Sequence, residues 1–249
     1  MKKTILLLAI VFIVSFAAKA QDSIKYSNPL MEVRFNFFKK SVILFNEYLD
    51  TDSGSFNTTN FRVLYPIGKK TWLLRADVPL ISTNTSSINK SGLGDLILAA
   101  SYIPYVKNKT GIGLRAKVSA NSASDANFGT GKWVFIPSIT MGNYLGNKKK
   151  FLWLSLVENQ ISFAGDSERN DINTTVFENT FLYFLGKNWF GINTALRYNH
   201  TIEGFQNSAF IEFGRKFTPD SMFYIHPSIG YGGAKSYNYG YELGVLILF

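Results

Sequence analysis

The residues in this sequence that could do chemistry are charges set at alternate positions within otherwise apolar segments. Arg62, Arg75, Asp77, Asp95, Arg115, Lys117, Glu178, Arg197, Glu212 and Glu242 all stand this way. Side chains two apart on an extended chain share a face, so the set predicts one polar surface carrying both signs. Such a surface can line a path that selects solutes by charge and size. It can equally fill an interior and satisfy itself through ion pairs and hydrogen bonds.

One constellation has the makings of acyl transfer. His226-Pro227-Ser228 puts an imidazole and a hydroxyl on one strand face, and Glu242 lies in the neighbouring segment. A serine, a base and an orienting acid is the logic of nucleophilic hydrolysis. The arrangement resembles the His-x-Ser motif of outer-membrane lipid A deacylases, and that alternative requires His226 and Ser228 on a lipid-facing surface within reach of an acid. The other reading is a histidine and a serine facing an interior. Two histidines and no cysteine leave no closed zinc site. Gly129-Thr130-Gly131-Lys132 lacks the spacing of a phosphate loop. The expectation is therefore no cofactor and no enzyme activity, and without a basic helix or an RNA-binding signature, no nucleic acid partner.

The elements that must position these charges follow from the rest of the chain. Lys2 and Lys3, the apolar run Ile5 to Ala17 and Ala18-Lys19-Ala20 have the form of a secretory signal peptide over residues 1–20. The formal charge of the whole chain is +9, and three of its lysines belong to that signal. Lys39-Lys40, Lys69-Lys70 and Lys148-Lys149-Lys150 fall where the chain turns, so the basic excess reads as turn lysines. Aromatic residues make up 16% of the sequence, yet beyond the signal no apolar run reaches the roughly 20 residues that a membrane helix needs. A membrane protein built without such helices must close its backbone bonds in a barrel.

Period-two alternation marks twelve strands, near 40–50, 56–67, 70–82, 92–105, 109–121, 132–145, 149–162, 173–186, 189–202, 205–217, 222–234 and 238–249. An even count brings both ends of a barrel to one side. Short connections alternate with longer polar ones (Asp50 to Ser55, Thr83 to Ser91, Asn121 to Gly131, Ala164 to Asp171), as periplasmic turns alternate with extracellular loops. In the last strand Tyr239, Tyr241, Leu243, Val245, Ile247 and Phe249 share one face, opposite Gly240, Glu242 and Gly244. The apolar face predicts a lipid-facing band, and the terminal aromatic resembles the signal by which outer-membrane barrels engage their insertion machinery. Tyr65, Trp72, Tyr105, Phe151, Trp189, Phe217 and Phe223 sit near segment ends and predict an interfacial girdle. Residues 31–38 also alternate, but a thirteenth strand would break the parity, so residues 21–39 read as a periplasmic or lumen-entering lead segment.

Gly92-Leu93-Gly94-Asp95 before an alternating strand, and Gly129-Thr130-Gly131-Lys132-Trp133 with Pro137, resemble landmarks of the outer-membrane transporter group named for the MetA pathway of phenol degradation. That group usually shows a proline-threonine-glycine turn after the fifth strand, where this chain has Ser119-Ala120-Asn121-Ser122. The resemblance spans about residue 40 to the end and implies a barrel in the style of importers of hydrophobic compounds, with no catalytic residues to carry over.

The expected fold is all-β: an antiparallel up-and-down transmembrane barrel over residues 40–249, in the outer membrane of a Gram-negative bacterium. The expected partners are outer-membrane lipid, the barrel-insertion machinery through the C-terminal strand, and a small-molecule solute, with hydrophobic or aromatic ones among the candidates. The charges named above are expected to line its lumen. The alternatives are the lipid hydrolase and a structural barrel with an occluded lumen.

Overall fold

The computed structural model describes residues 29–32, 36–68, 72–107, 109–146 and 149–249. The proposed signal at 1–20, and residues 21–28 of the lead segment, lie outside the described residues. A 3-10 turn at Pro29–Met31 precedes β1 (Ser41–Thr51), β2 (Gly54–Ile67), β3 (Trp72–Thr85), β4 (Asn89–Leu93), β5 (Ile97–Lys107), β6 (Thr110–Ser119) and β7 (Lys132–Leu145). Then come β8 (Phe151–Gly165), β9 (Asn173–Leu185), β10 (Asn188–Asn199), β11 (Gly204–Phe205), β12 (Asn207–Thr218), β13 (Ser221–Tyr231) and β14 (Tyr239–Leu248).

Apart from the short β4 and β11, each strand pairs antiparallel with the next one along the chain, and β14 pairs with β1 from Tyr239 opposite Asp50 to Leu248 opposite Ser41. The sheet is thereby closed and leaves no edge. β4 and β5 both lie along β3 and are a single barrel strand broken at Gly94-Asp95-Leu96. β11 continues β12 along β10 in the same way. The barrel has twelve strands in an up-and-down meander, as the alternation predicts.

Both ends of the described barrel strands, Ser41 and Leu248, lie at the end where the connections are short, the turn end. At the loop end, Ser119 to Lys132, Gly165 to Asn173 and Tyr231 to Tyr239 are the long connections. Two expected loops are shorter than the polarity of their residues suggests. β1 and β2 extend to a turn at Asp52-Ser53, and β3 pairs with β4 out to Asn84 opposite Asn89. Threonine, serine and asparagine there sit on ladders that stand beyond the apolar band.

The outward face is apolar around the ring. Leu98, Phe163, Phe181, Ile192, Ile211, Leu243 and Val245 are exposed, as a hydrocarbon-facing band requires. Tyr65, Trp72, Tyr105, Phe151 and Phe217 are exposed near the turn end and fit the predicted girdle. Trp189 does not. It is 1% exposed and faces inward, while its neighbour Phe190 is the outward residue.

The turn half of the interior is also apolar. Ile43, Phe45, Tyr144, Leu152, Leu154, Leu182, Trp189, Met222, Tyr224, Leu246 and Leu248 meet in one buried cluster, with Leu64 and Phe184 against it. Two aromatic rings lie flat over glycines of the adjacent strand. Trp189 is paired with Gly214 and Tyr224 with Gly244, and any Cβ at either glycine would fall inside the ring.

Candidate functional site

Above that cluster the barrel encloses a cavity of about 730 Å³, lined from Leu30 and Ser41 near the turn end to Ser236 and Tyr237 among the loops. Its lower wall is apolar, with Phe45, Leu64, Leu73, Leu154 and Leu246. Its middle is a belt of charges placed there by strand parity.

On β2 and β3, two arginines share one carboxylate. Arg62 Nε and Nη2 donate to Asp77 Oδ1 and Oδ2 at 2.9 and 3.1 Å, and Arg75 Nε donates to Oδ1 at 2.8 Å. Asp77 is 1% exposed and lies beneath the arginines. A buried carboxylate is tolerated only when its charge and lone pairs are met in this way. The Arg62 guanidinium also lies 4.8 Å from the centre of the Phe45 ring. A second cluster joins β6 to β8. Arg115 Nη2 and Lys117 Nζ reach Glu158 Oε2 at 3.2 and 3.0 Å, and Arg115 Nε donates to Ser138 at 3.2 Å on the strand between.

The other half of the belt is acidic. Backbone register sets Glu47, Glu242 and His226 side by side on β1, β14 and β13. The imidazole lies 3.5 Å from Glu212 of β12 and 3.6 Å from Glu242, stacked on Phe210 at 4.2 Å. The Trp189 indole N–H donates to Glu212 at 2.6 Å, and the Tyr224 hydroxyl to Glu242 at 2.6 Å. Glu178 accepts from the Asn193 amide at 2.7 Å, and Arg197 donates to the Ser208 hydroxyl at 2.5 Å.

Of the ten charges predicted for the lumen, Arg62, Arg75, Arg115, Lys117, Glu178, Arg197, Glu212 and Glu242 line this cavity, and Asp77 supports it from below. Asp95 is elsewhere. It sits in the break between β4 and β5, where alternation no longer assigns a face. Its carboxylate accepts hydrogen bonds from the backbone N–H groups of Ser122 and Ala123, both at 3.1 Å, and from Thr130. Asp95 therefore folds the 120–131 loop against the barrel wall and does not line the cavity. Sequence reasoning missed Glu47 and Glu158, which stand in alternating segments like the rest, and the apolar floor.

His226 and Ser228 both line the cavity. The hydrolase alternative needed them on the lipid face, and among the described residues no hydrogen bond joins the two. The strand parity that brings His226 to Glu212 and Glu242 is the same parity that turns Ser228 away from lipid.

The lead segment enters the lumen at the turn end and is not a strand in its described residues. Pro29 and Leu30 are buried beside Gly142, where a Cβ would lie 3.2 Å from Pro29 and 3.5 Å from Leu30. Leu30 O accepts Phe37 N–H at 3.0 Å, which turns the segment back on itself. Glu32 accepts a hydrogen bond from the Tyr144 hydroxyl and lies 3.9 Å from Lys216 Nζ, and Lys39 Nζ is 2.6 Å from Asp220. Side chains of β7 and β12 thus hold the segment across the opening.

At the loop end, Lys132 Nζ is 2.9 Å from Asp171 and Arg169 donates to Ala126 O, linking two long loops. The Asp171 carboxyl is held below the usual carboxylate range, first by the Lys132 hydrogen bond and then by that of Ser162.

A closed, even-stranded barrel with an apolar outer band and a charged interior is a membrane-spanning β-barrel of the outer-membrane type. No protein-family model matches the chain, and a search of the curated proteins finds no relative. Among solved structures, it is similar to the COG4313 outer membrane channel from Pseudomonas putida F1, with TM-score 0.71 and 14% identity over 85% of this chain and 96% of that one. The KdgM porin gives 0.58 and 12% over 84% and 99%, and the NanC porin 0.57 and 15% over 83% and 98%. At these identities the likeness is one of fold.

Proposed function

We propose that this barrel is a conduit for the uptake or permeation of small molecules across the outer membrane, hydrophobic or aromatic ones among them, and not an enzyme. The observation that carries the reading is the cavity itself, charge-lined over an apolar floor and running from the loops to a lead segment held in the lumen. A structural barrel has no need of such a space. The apolar floor suits a solute with an apolar or aromatic body, and polar groups above it would fix orientation.

In this reading residues 1–20 direct export, residues 21–39 are a lead segment whose described part, 29–32 and 36–39, stoppers the turn end on the periplasmic side, and residues 40–249 form the barrel. The long loops then face the exterior. Lipid contacts the outer band, and the insertion machinery engages the C-terminal strand, whose Phe249 is exposed on the outer face. Kinship with the transporter group named for the MetA pathway belongs to the same proposal. Its support is that the two glycine motifs meet in space, at Asp95 and Thr130.

The test is ion selectivity of single channels formed by the refolded protein, compared with R75A and R115A. A shift of reversal potential toward cations in both variants supports a charge-lined path. Channels whose selectivity ignores both substitutions would contradict it.

A further inference from the structure

We propose that the central belt is a binding site for small dipolar solutes, molecules that carry an anionic and a cationic group together on an apolar body. This deepens the conduit reading and rests on it. On β2, β3 and β6, four cations (Arg62, Arg75, Arg115 and Lys117) share two carboxylates, Asp77 and Glu158. That half of the wall is left with a positive surplus.

On the opposite half, β9 round to β1, the carboxylates of Glu47, Glu178 and Glu242, with Glu212 beside them, face among the described residues the Arg197 guanidinium and the His226 imidazole. An indole N–H, a phenol hydroxyl and a carboxamide reach three of them. Neutral donors satisfy a carboxylate's lone pairs and leave its charge in place. Arg197 donates to a serine hydroxyl. His226 is 8% exposed, and its Nδ1 has no hydrogen-bond partner although Glu212 is 3.5 Å away. The Glu47 carboxylate accepts no hydrogen bond from a described residue. Even with Glu212 left out of the count, this half keeps a negative surplus among the described residues.

Opposite surpluses across a narrow lumen set up a transverse field, strengthened by low-dielectric walls. A lone anion or cation is drawn to one wall and repelled by the other. A dipolar solute gains at both, with its carboxylate toward Arg62 and Arg115 and its ammonium toward Glu47 and Glu242. The cavity volume falls within the usual range for small-ligand sites, and Phe45, Leu154 and Leu246 offer an apolar surface below the belt.

The test uses three probes with one aromatic body: L-phenylalanine, 3-phenylpropionate and 2-phenylethylamine. Binding to the refolded full-length protein is measured by titration calorimetry against empty micelles, with flux of the same probes measured in proteoliposomes. Phenylalanine is expected to bind about tenfold more tightly than either analogue, the scale of one modest extra ionic contact. The E47Q/E242Q variant is expected to lose that preference while retaining 3-phenylpropionate. Should the double variant fail to refold, E47Q alone carries the test. Equal binding of the three probes, or no binding, overturns the proposal. Flux without head-group preference would sink the dipolar site and leave the conduit standing, whereas selective binding without flux would do the reverse.

Discussion

Asp95 Oδ2 accepts two hydrogen bonds from Thr130, from its backbone N–H at 2.8 Å and its hydroxyl at 3.1 Å. These residues are 35 apart in sequence and belong to the two glycine motifs that stand out in the chain. Two of their glycines leave room for the packing around this contact. A Cβ at Gly129 would lie 2.5 Å from Asp95 Oδ1, and one at Gly92 2.6 Å from the buried Phe128 ring. The motifs form a latch that closes the longest loop over the broken strand.

D95A should therefore release the loop without opening the barrel. Several backbone donors lose an ionic acceptor, at a cost of about 1–3 kcal/mol. Limited proteolysis of the refolded variant should cut within residues 120–131 faster than in wild type, with barrel mobility on gels unchanged. Unaltered cleavage would mean that the latch does not hold the loop.

The interior cluster and the outer band should respond differently to the same substitution. Leu182 is 1% exposed within the cluster, whereas Leu98 is 63% exposed on the outer face. L182A is expected to destabilise by about 2–5 kcal/mol through lost burial and a cavity. L98A should cost less, since lipid fills the space. Urea unfolding in lipid vesicles measures both, and equal losses would contradict the assignment of faces.

Trp189 and Trp72 offer an optical check of those faces. In single-tryptophan variants, brominated lipid should quench Trp72 strongly and Trp189 weakly, because of these two it is Trp72 that is exposed on the outer band. Quenching in the opposite order would reverse the register of β10.

The Lys132–Asp171 contact gives the loop end a pH dependence. The Asp171 carboxyl is depressed in the folded protein, so its contribution is present above the ordinary carboxylate range and is lost as pH falls through the lowered folded value. Hydrogen exchange in residues 166–172, corrected for intrinsic rates, should be slower in wild type than in K132A at neutral pH. The two should converge in acid. A difference that persists undiminished in acid would show that another contact holds the loop.

Strand number, order and closure were legible because charges, aromatics and small residues alternate through most of the chain, as at Tyr239 to Phe249. The positions of Arg62, Arg75, Arg115 and Glu242 followed from the same period. Three things did not follow. At Ser41 to Phe45, Phe151 to Leu156 and Phe181 to Phe184 the chain is apolar on both faces, and such runs hide which residues point inward. Part of the cavity floor lies there, and Trp189 was misplaced for a like reason, because it and Phe190 are adjacent aromatics and either could face lipid. Asp95 was misplaced because a break in a strand resets its parity. The lead segment's course depends on single contacts, Glu32 with Tyr144 and Lys39 with Asp220, that no period in the sequence announces.

The central claim is that a charge-lined path exists and that the lead segment stoppers it. Single-channel conductance of the refolded protein tests it most directly, compared with a variant in which Leu30→Gly and Glu32→Ala remove the segment's buried contact and its link to Tyr144. Small or intermittent steps are expected in wild type and larger, longer-lived ones in the variant. Silence from both, in barrels shown to be folded, would contradict it.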